Sequence, residues 1–315
     1  MADVRIVTVG ESMGLVTNDQ PGPISSARAL SLSFGGAESN VAIALTRLGS
    51  DVSWVSLLGA DPIGDLIDRE LRAEGVDVHA RRVQELPTGL MHKHRRTASM
   101  SAVSFWRKGS AASFLHPDDV PAGLIESAGI LHLTGILPGL SSHALATTRS
   151  VVRRAKSAGV RISFDVNHRE SIWNKSDARP LYRELASAAD LVFAGEDEAA
   201  ILVGEADPPI LARRLLQLGP TEVVIKRGEA GAYGASGAEQ VHRNATHVDV
   251  VDSVGAGDAF VAGYLSLWNG ETSMGERLSR AADVGAFACT CVGDWEGSPT
   301  LTDLARMGQR EGVTR

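Results

Sequence analysis

The chain has 315 residues, of which 43% are hydrophobic and 22% are charged, and its formal net charge is −7 at pH 7. That length and apolar content suffice for a domain with a buried core. The negative charge argues against a non-specific nucleic-acid binder, which needs a basic face, and no apolar run approaches the roughly 20 residues of a membrane span. The first residues lead into a strand-like segment without the pattern of a signal peptide, so we expect a cytoplasmic protein.

Strand-like and helix-like segments alternate along most of the chain. Short β-branched runs predict strands at 4–9, 52–58, 130–135, 161–166, 191–194 and 222–228. Apolar residues at helical spacing predict helices at 39–48, 62–75, 142–158, 178–189 and from Asp258 onward. This alternation predicts an α/β fold with a mostly parallel central sheet covered on both faces, and ligands that bind beyond the carboxyl ends of its strands.

Two segments, 12–34 and about 83–108, break the alternation with short stretches such as ALSLSF and SAVSFW. We interpret them as a small antiparallel sheet that projects from the main layer and forms a lid over a site. Because exposed sheet edges need protection, the lid is also expected to pair with another subunit and produce a homo-oligomer. The whole chain, 1–315, is predicted to form one domain.

The stretch VDSVGAGDAF, 251–260, predicts an anion site with an acidic group beside it. Gly255, Ala256 and Gly257 leave the backbone almost bare before a helix, and a helix N-terminus offers free N–H groups to an anion. A carboxylate there repels an anion, so Asp258 needs another role. It can accept the proton of a hydroxyl that attacks a phosphoryl group held by the turn. The alternative is a simple helix cap.

A second stretch, GGAESNVAIALTRLG at 35–49, places two glycines before a predicted helix. Gly35 and Gly36 permit close approach to a polyol, and Asn40 can hydrogen-bond a hydroxyl. By itself the stretch is equally compatible with an ordinary helix start. No G-x-x-x-x-G-K-[ST] segment is present, and no G-x-G-x-x-G follows the first strand. A Walker-type P-loop protein and a nicotinamide-binding fold are therefore disfavoured.

Together the two stretches resemble the signatures of the ribokinase-like (PfkB) carbohydrate kinases, whose pattern is G-G-x-x-x-N-x-A…L-G followed by D-[ST]-x-G-A-G-D. The resemblance covers essentially the whole chain. It implies a ribokinase-like three-layer α/β/α fold with a β-sheet lid, and phosphorylation of a sugar hydroxyl by ATP with Mg²⁺. It leaves room for a monovalent cation such as K⁺. On this resemblance Asp258 is the catalytic base and residues 255–258 supply the anion hole.

Within the family, FWRKGSAAS (105–113), DVNHRESIW (165–173) and GDWEGSP (293–299) are similar to stretches of 2-keto-3-deoxygluconate kinases. The similarity implies that Arg107 and Asp294 contact the sugar acid and that Asn167 and Arg169 lie between substrate and nucleotide phosphates. It further places Lys226, Gly228 and Gly231 at the ATP site. A guanidinium suits a carboxylate substrate. The alternative is that the basic residues of the lid form only a solvated face.

The chain departs from these kinases at three positions. Met91 and Phe105 stand where tyrosines commonly reach the substrate, so those hydroxyl donors are lost, unless His92 or Trp106 replaces them. In the segment linked to Mg²⁺, Glu198 is retained but the family's Asn is replaced by Gly195. The expected function is an ATP-dependent kinase for the primary hydroxyl of a keto-acid sugar, with 2-keto-3-deoxygluconate as the leading candidate substrate. The alternatives are a neutral-sugar kinase and a non-catalytic sugar-binding regulator with the same fold.

Overall fold

The computed structural model describes residues 4–18, 22, 25, 27–95, 101–237 and 239–308. The two ends of the predicted 1–315 domain therefore lie partly outside the described residues, as do parts of the predicted lid segments 12–34 and 83–108. Within the described ranges, no helix is both long and apolar enough to cross a membrane.

A nine-stranded sheet forms the centre of the molecule. In spatial order its strands are β13 (Glu239–Arg243), β12 (Ala232–Ser236), β11 (Glu222–Lys226), β10 (Leu191–Gly195), β9 (Arg161–Asp165), β8 (Ile130–Thr134), β1 (Ile6–Val9), β4 (Val52–Gly59) and β5 (Asp77–Val83). Neighbouring strands from β11 to β5 are parallel, and β12 and β13 add an antiparallel hairpin. The predicted mostly parallel sheet is confirmed.

Helices cover both faces of this sheet. They are α1 (Ala37–Arg47), α2 (Pro62–Ala73), α3 (Leu137–Leu140), α4 (Ser142–Ala158), α5 (Lys175–Ala188), α6 (Glu196–Val203), α7 (Pro208–Leu216), α8 (Ala256–Leu265), α9 (Met274–Ala288) and α10 (Leu301–Gly308). Val7 belongs to an apolar core with α4, α5 and α7, whereas the preceding Ile6 belongs to another with α1, α2, α8 and α9. Successive side chains of a strand point to opposite faces, so the two cores define the predicted three layers.

Local signals set the ends of several helices. α4 begins after Ser141, whose side chain accepts a hydrogen bond from the N–H of Ala144, and ends at Gly159 with φ 71°. Asp61 caps α2 in the same way through the N–H of Gly64 at 2.8 Å. These are the preferred residue types at helix starts and stops, and they explain why the predicted limits of α4 agree with the structure.

The lid is a separate four-stranded sheet in the order β3 (Leu30–Gly35), β2 (Met13–Asn18), β6 (Leu90–Arg95) and β7 (Ser101–Trp106). The prediction of a purely antiparallel lid is wrong, because the central pair β2–β6 is parallel. The reason lies in the main sheet. β2 follows β1 and β6 follows β5, and β1 and β5 run in the same direction, so both lid strands leave the same edge of the sheet side by side.

Candidate active site

A cleft of about 330 Å³ lies between the lid and the carboxyl ends of the central strands. Glu11 follows β1, Ile136 follows β8 and Arg169 follows β9, as expected for a ligand site in a parallel sheet. Nine of the predicted site residues line the cleft: Gly36, Asn40, Met91, Phe105, Arg107, Arg169, Gly255, Asp258 and Asp294. The structure thus brings the two signature stretches together with the lid.

Asp258 lies in the first turn of α8 and is 8% exposed. The Asn40 amide donates a hydrogen bond to its Oδ2 at 2.8 Å, and the Asn167 amide lies 3.4 Å from its Oδ1. Burial raises the pKa of the Asp258 carboxyl, against the lowering effect of the Asn40 hydrogen bond and the Arg169 and Lys226 charges. A raised pKa makes a carboxylate a better proton acceptor, which fits the predicted base.

Gly255 immediately precedes α8 and has the left-handed conformation, with φ 74°. A Cβ added at Gly255 would lie only 1.7 Å from the carbonyl oxygen of Asp294, so two chain segments meet here without room for a side chain. A Cβ at Gly257 would lie 4.0 Å from Nζ of Lys226. The start of α8, with its free N–H groups, therefore faces a lysine ammonium, and both favour an anion at this turn.

The paired glycines have a packing role that the sequence did not reveal. A Cβ at Gly35 would lie 2.2 Å from Oδ2 of Asp294, and a Cβ at Gly36 would lie 2.2 Å from the carbonyl oxygen of Glu11. Gly36 also lines the cleft. Gly36 is therefore needed to bring the start of α1 against the backbone of Glu11. Gly35 faces a side-chain carboxylate and does not line the cleft.

Arg107 lines the cleft but is already paired with an acidic residue. Its Nε donates to Oε2 of Glu11 at 2.8 Å, its Nη2 donates to the same oxygen, and the Ser110 hydroxyl donates to Oε1. Glu11 thereby occupies one edge of the guanidinium, and the other N–H groups remain for a ligand because arginine has five. Sequence reasoning missed Glu11; the available signal was an acidic residue at the carboxyl end of the first strand.

Four residues predicted on the nucleotide side do not line the cleft: Asn167, Lys226, Gly228 and Gly231. Nζ of Lys226 is 2.7 Å from both carboxylate oxygens of Asp165, the last residue of β9. Sequence reasoning did not single out Asp165. Burial raises the pKa of Asp165 to about 6, and the Lys226 charge opposes that rise. Asn167 has φ 39°, an unusual value outside glycine that Asn tolerates better than most residues. Asp165, Lys226 and Asn167 thus form a polar cluster, in which Asn167 contacts Asp258.

Gly228 and Gly231 follow β11 in the turn before β12, with φ 54° and 86°. A Cβ at Gly231 would lie 2.0 Å from the carbonyl oxygen of Arg243, whereas nothing lies within 4 Å of a Cβ at Gly228. Gly231 is therefore required by the β11–β12–β13 hairpin, and Gly228 leaves an open backbone surface. The turn lies at the same strand end as Lys226.

Glu198 is held by backbone donors at the start of α6. Its Oε2 accepts the N–H of Gly195 at 2.7 Å and its Oε1 accepts the N–H of His168 at 2.9 Å. Among the described residues, no three His, Cys, Asp or Glu side chains form a ligand set for a metal ion. Mg²⁺ commonly keeps several waters and binds through one or two carboxylates plus substrate phosphates.

The charges on the nucleotide side fit that kind of Mg²⁺ binding. Burial lowers the pKa of Lys226, but the charges of Asp165, Glu198 and Asp258 outweigh it and raise that pKa above its ordinary value. Carboxylate oxygens such as those of Glu198 and Asp165 are of the kind that Mg²⁺ takes together with phosphate oxygens. When bound, the ion supplies positive charge that neutralises the phosphates.

Two of the three departures from the related kinases, Met91 and Phe105, lie side by side in the lid. Met91 pairs with Phe105 in the β6–β7 register, and both line the cleft. His92 and Trp106 lie on the opposite face of the lid, since neighbouring side chains of a strand alternate. His92 is bound to Oδ1 of Asn18 at 3.0 Å, and Trp106 is 58% exposed. The idea that either replaces the missing hydroxyl donors is therefore wrong.

Two further carboxyl groups of the site region have pKa values raised to about 7. Burial raises the pKa of Asp294 to about 7, against the lowering effect of the Lys93 charge. Burial also raises the pKa of Glu38 to about 7, against a hydrogen bond from the Thr134 hydroxyl. Asp294 can thus donate or accept a hydrogen bond near neutral pH, which suits contact with a substrate hydroxyl.

Comparison with known proteins identifies the family. A model of the pfkB family of carbohydrate kinases matches residues 4–301. A 2-dehydro-3-deoxygluconokinase of Bacillus subtilis is 38% identical over 303 residues, which are 95% of this chain and 94% of that protein. A 2-dehydro-3-deoxygalactonokinase of Haloferax volcanii is 33% identical over 293 residues, 92% of each chain.

A solved structure of a PfkB protein from Polaromonas sp. JS666 superposes with a TM-score of 0.87 at 34% identity, covering 97% of this chain and 99% of that one. The family resemblance of the two signature stretches is thus confirmed over nearly the full length. The chain therefore belongs to the pfkB family of carbohydrate kinases.

Proposed function

We propose that this kinase transfers a phosphoryl group from ATP to the primary hydroxyl of 2-keto-3-deoxygluconate and forms the 6-phosphate. The observation that carries the proposal is the placement of two guanidinium groups, Arg107 and Arg169, in the same cleft as the buried Asp258. A sugar acid offers a carboxylate to such groups, and guanidinium–carboxylate pairs are strong and directional. The prefix 2-dehydro is the systematic equivalent of 2-keto in such sugar names. The similarity to a 2-dehydro-3-deoxygluconokinase and a 2-dehydro-3-deoxygalactonokinase therefore supports the choice.

In the proposed reaction the sugar hydroxyl loses its proton to Asp258 while its oxygen forms a bond to the γ-phosphorus and the bond to ADP breaks. The start of α8, residues 255–258, holds the charge of the phosphoryl group through its N–H groups. Asn40 and Asn167 orient the Asp258 carboxylate by hydrogen bonds. Positioning and charge stabilisation supply most of the rate in phosphoryl transfer, so a preorganised base suffices.

The nucleotide is proposed to extend from this turn toward Lys226 and the open backbone at Gly228, with Gly231 shaping the turn. Membership of a carbohydrate kinase family implies the use of ATP and Mg²⁺, and Glu198 with Asp165 is the proposed Mg²⁺ site. Activation by a monovalent cation such as K⁺ is part of the proposal. Replacing KCl by choline chloride at constant ionic strength tests it.

A homo-oligomer that pairs through the lid is also proposed. The lid face turned away from the cleft carries Leu30, Leu32 and Trp106, which are 50%, 54% and 58% exposed. Burying these side chains between two copies would remove apolar surface from water. We further propose that the protein works in the cytoplasm, where ATP is available. Light scattering of the parent and of a Leu32→Asp variant tests the oligomer.

One observation favours a neutral-sugar kinase of the fructokinase or ribokinase type as the second candidate. Glu11 already compensates the charge of Arg107, so that guanidinium can remain in the cleft without a substrate carboxylate. A non-catalytic sugar-binding regulator is the third candidate; the buried, hydrogen-bonded Asp258 counts against it because a binding site has no need of a proton acceptor.

The deciding experiment measures ADP formation with a panel of 2-keto-3-deoxygluconate, 2-ketogluconate, gluconate, fructose and ribose. The keto-acid sugar is expected to give the highest kcat/KM. The matched control is Asp258→Asn, which keeps the size of the side chain and should lower kcat by roughly 10²-fold or more. Highest activity on fructose or ribose would select the second candidate, and sugar binding without turnover of any compound would select the third.

A further inference from the structure

Lys93, on lid strand β6, is a buried cation that sequence reasoning did not single out. It lines the cleft two residues after Met91, and its side chain is 4% exposed. Its Nζ lies 2.5 Å from Oδ2 of Asp252, whose side chain is 13% exposed. A buried ammonium needs a compensating charge, and Asp252 supplies it. The lid is thus tied by an ion pair to the loop that precedes α8.

Asp252 in turn organises the two loops that border the cleft. Its Oδ1 accepts the N–H of Val254 at 3.3 Å, and its Oδ2 accepts the N–H of Gly293 at 3.3 Å. Val254 leads into the glycine turn at the start of α8, and Gly293 leads into Asp294. One carboxylate therefore contacts both loops, and Lys93 neutralises that carboxylate from the lid.

These two loops are also packed directly against each other. Gly255 leaves no room for a Cβ beneath the carbonyl oxygen of Asp294, so a shift of one loop must move the other. Gly255 is the first residue of the anion-binding turn, and Asp258 lies three residues further on. A displacement of Asp252 would therefore be transmitted to both the turn and the base.

We propose that Lys93 is a positioning residue whose ion pair with Asp252 holds the anion-binding turn in its reactive arrangement and couples the position of the lid to phosphoryl transfer. This rests on the proposed function, since it requires that a phosphoryl group is transferred at the turn. Misplacement of reacting groups by about 1 Å can cost on the order of 10²-fold in rate, so a loose turn lowers kcat.

The test compares Lys93→Met, Asp252→Asn and the double variant with the parent protein, using whichever sugar of the panel gives the highest turnover. Each single variant should lower kcat by roughly 10-fold to 10²-fold, with KM for sugar and ATP changed by less than about threefold. Because the two side chains act as a pair, the double variant should be no more than about twofold below the worse single one. Lys93→Arg keeps the charge and should restore most of kcat.

The matched control is Arg277→Met. Arg277 and Glu222 form another buried ion pair, with both side chains 9% exposed, but Glu222 begins β11 at the edge of the sheet away from the cleft. This variant should lose thermal stability as Lys93→Met does and keep the parent kcat. Equal losses of kcat in Arg277→Met and Lys93→Met would show that any buried charge removal has this effect and would overturn the proposal.

A second measurement does not depend on a substrate. Amide hydrogen exchange of residues 251–258 should accelerate in Lys93→Met and in Asp252→Asn, and not in Arg277→Met. Unchanged exchange of residues 251–258 in these two variants would overturn the proposal, whether or not the parent protein phosphorylates any sugar. If the parent is inactive on every sugar but exchange is accelerated in the variants, the result counts only against the proposed function. A Lys93→Met variant that raises KM for the sugar and keeps kcat would make Lys93 a substrate ligand, also against the proposal. If Lys93→Met does not fold, Asp252→Asn carries both measurements.

Discussion

The Asn40 amide and the Asp258 carboxylate are joined by a hydrogen bond of 2.8 Å, although 218 residues separate them in the chain. Asn40 lies near the start of α1 and Asp258 near the start of α8, so the two helix N-termini converge on one point. The N–H of Asn40 donates to the carbonyl of Gly36, and its side-chain oxygen lies 3.3 Å from the Gly36 N–H. Asn40 is therefore fixed by Gly36 and in turn orients Asp258.

This contact allows the role of Asp258 as a base to be tested by pH. Because burial raises the pKa of Asp258, the acid limb of kcat/KM should lie above the ordinary Asp value of about 3.9. Asn40→Asp keeps the size of the side chain but adds a like charge, which should raise that pKa and shift the limb to higher pH. The measurement is kcat/KM from pH 4 to 9. Thr46→Asp, six residues further along α1, is the control and should not move the limb; an unmoved limb in Asn40→Asp would contradict the assignment.

The second prediction concerns the lid arginine. Arg107→Ala should raise KM for a sugar acid by roughly 10-fold to 10²-fold, because a charge-assisted hydrogen bond to the carboxylate is lost. KM for ATP should change little. Arg154→Ala removes an arginine paired with Glu126 on the outer surface and serves as control. An equal rise of KM for ATP in Arg107→Ala would place the guanidinium at the nucleotide instead.

The third prediction uses the facing pair Met91 and Phe105. A cleft without hydroxyl donors at these positions discriminates poorly between acids that differ in one hydroxyl, since no buried donor is left unpaired by the poorer substrate. 2-Ketogluconate should therefore be phosphorylated within about tenfold of the deoxy acid, a gap of roughly 1.4 kcal/mol. Met91→Tyr with Phe105→Tyr should widen the gap in kcat/KM. Met91→Phe, which adds a ring without a hydroxyl beside the unchanged Phe105, is the control for added bulk, and a parent already selective by about a thousandfold would refute the argument.

The fourth prediction concerns Glu38, a fully buried carboxyl whose Oε2 has no hydrogen-bond partner among the described residues. Burial raises its pKa from 4.5 to about 7, so the folded state binds its proton more tightly than the unfolded state. Stability that is present below pH 4.5 is therefore lost as the pH rises to about 7. Glu38→Gln removes this loss and should raise the free energy of unfolding by roughly 1–3 kcal/mol at pH 8 and by less at pH 5. Urea unfolding at both pH values measures it, and an equal change at both would exclude titration of Glu38 as the cause.

The strand–helix alternation predicted the α/β fold from the sequence alone. The two signature stretches added the resemblance to the family and, with it, the three-layer arrangement. These features are local: apolar spacing of 2 or 3.6 residues defines each element, and parallel strands place their carboxyl ends at one edge. The resemblance of the two stretches to one family, rather than these local patterns, predicted that Gly36, Asn40 and Asp258 belong to one site. The roles of the individual site residues stay predictions until the variants are measured.

Only the tertiary structure decided what those residues touch. The parallel pairing of β2 with β6 follows from the direction in which two strands leave the central sheet, and it turns Lys93 into the cleft and His92 away from it. Glu11 partners Arg107 from 96 residues away, and Asp252 partners Lys93 from 159 residues away. Such pairs arise because a buried charge must find its counter-charge wherever the folded chain brings one. Local sequence patterns do not encode that choice, since it depends on which loops the sheet brings within about 3 Å of each other.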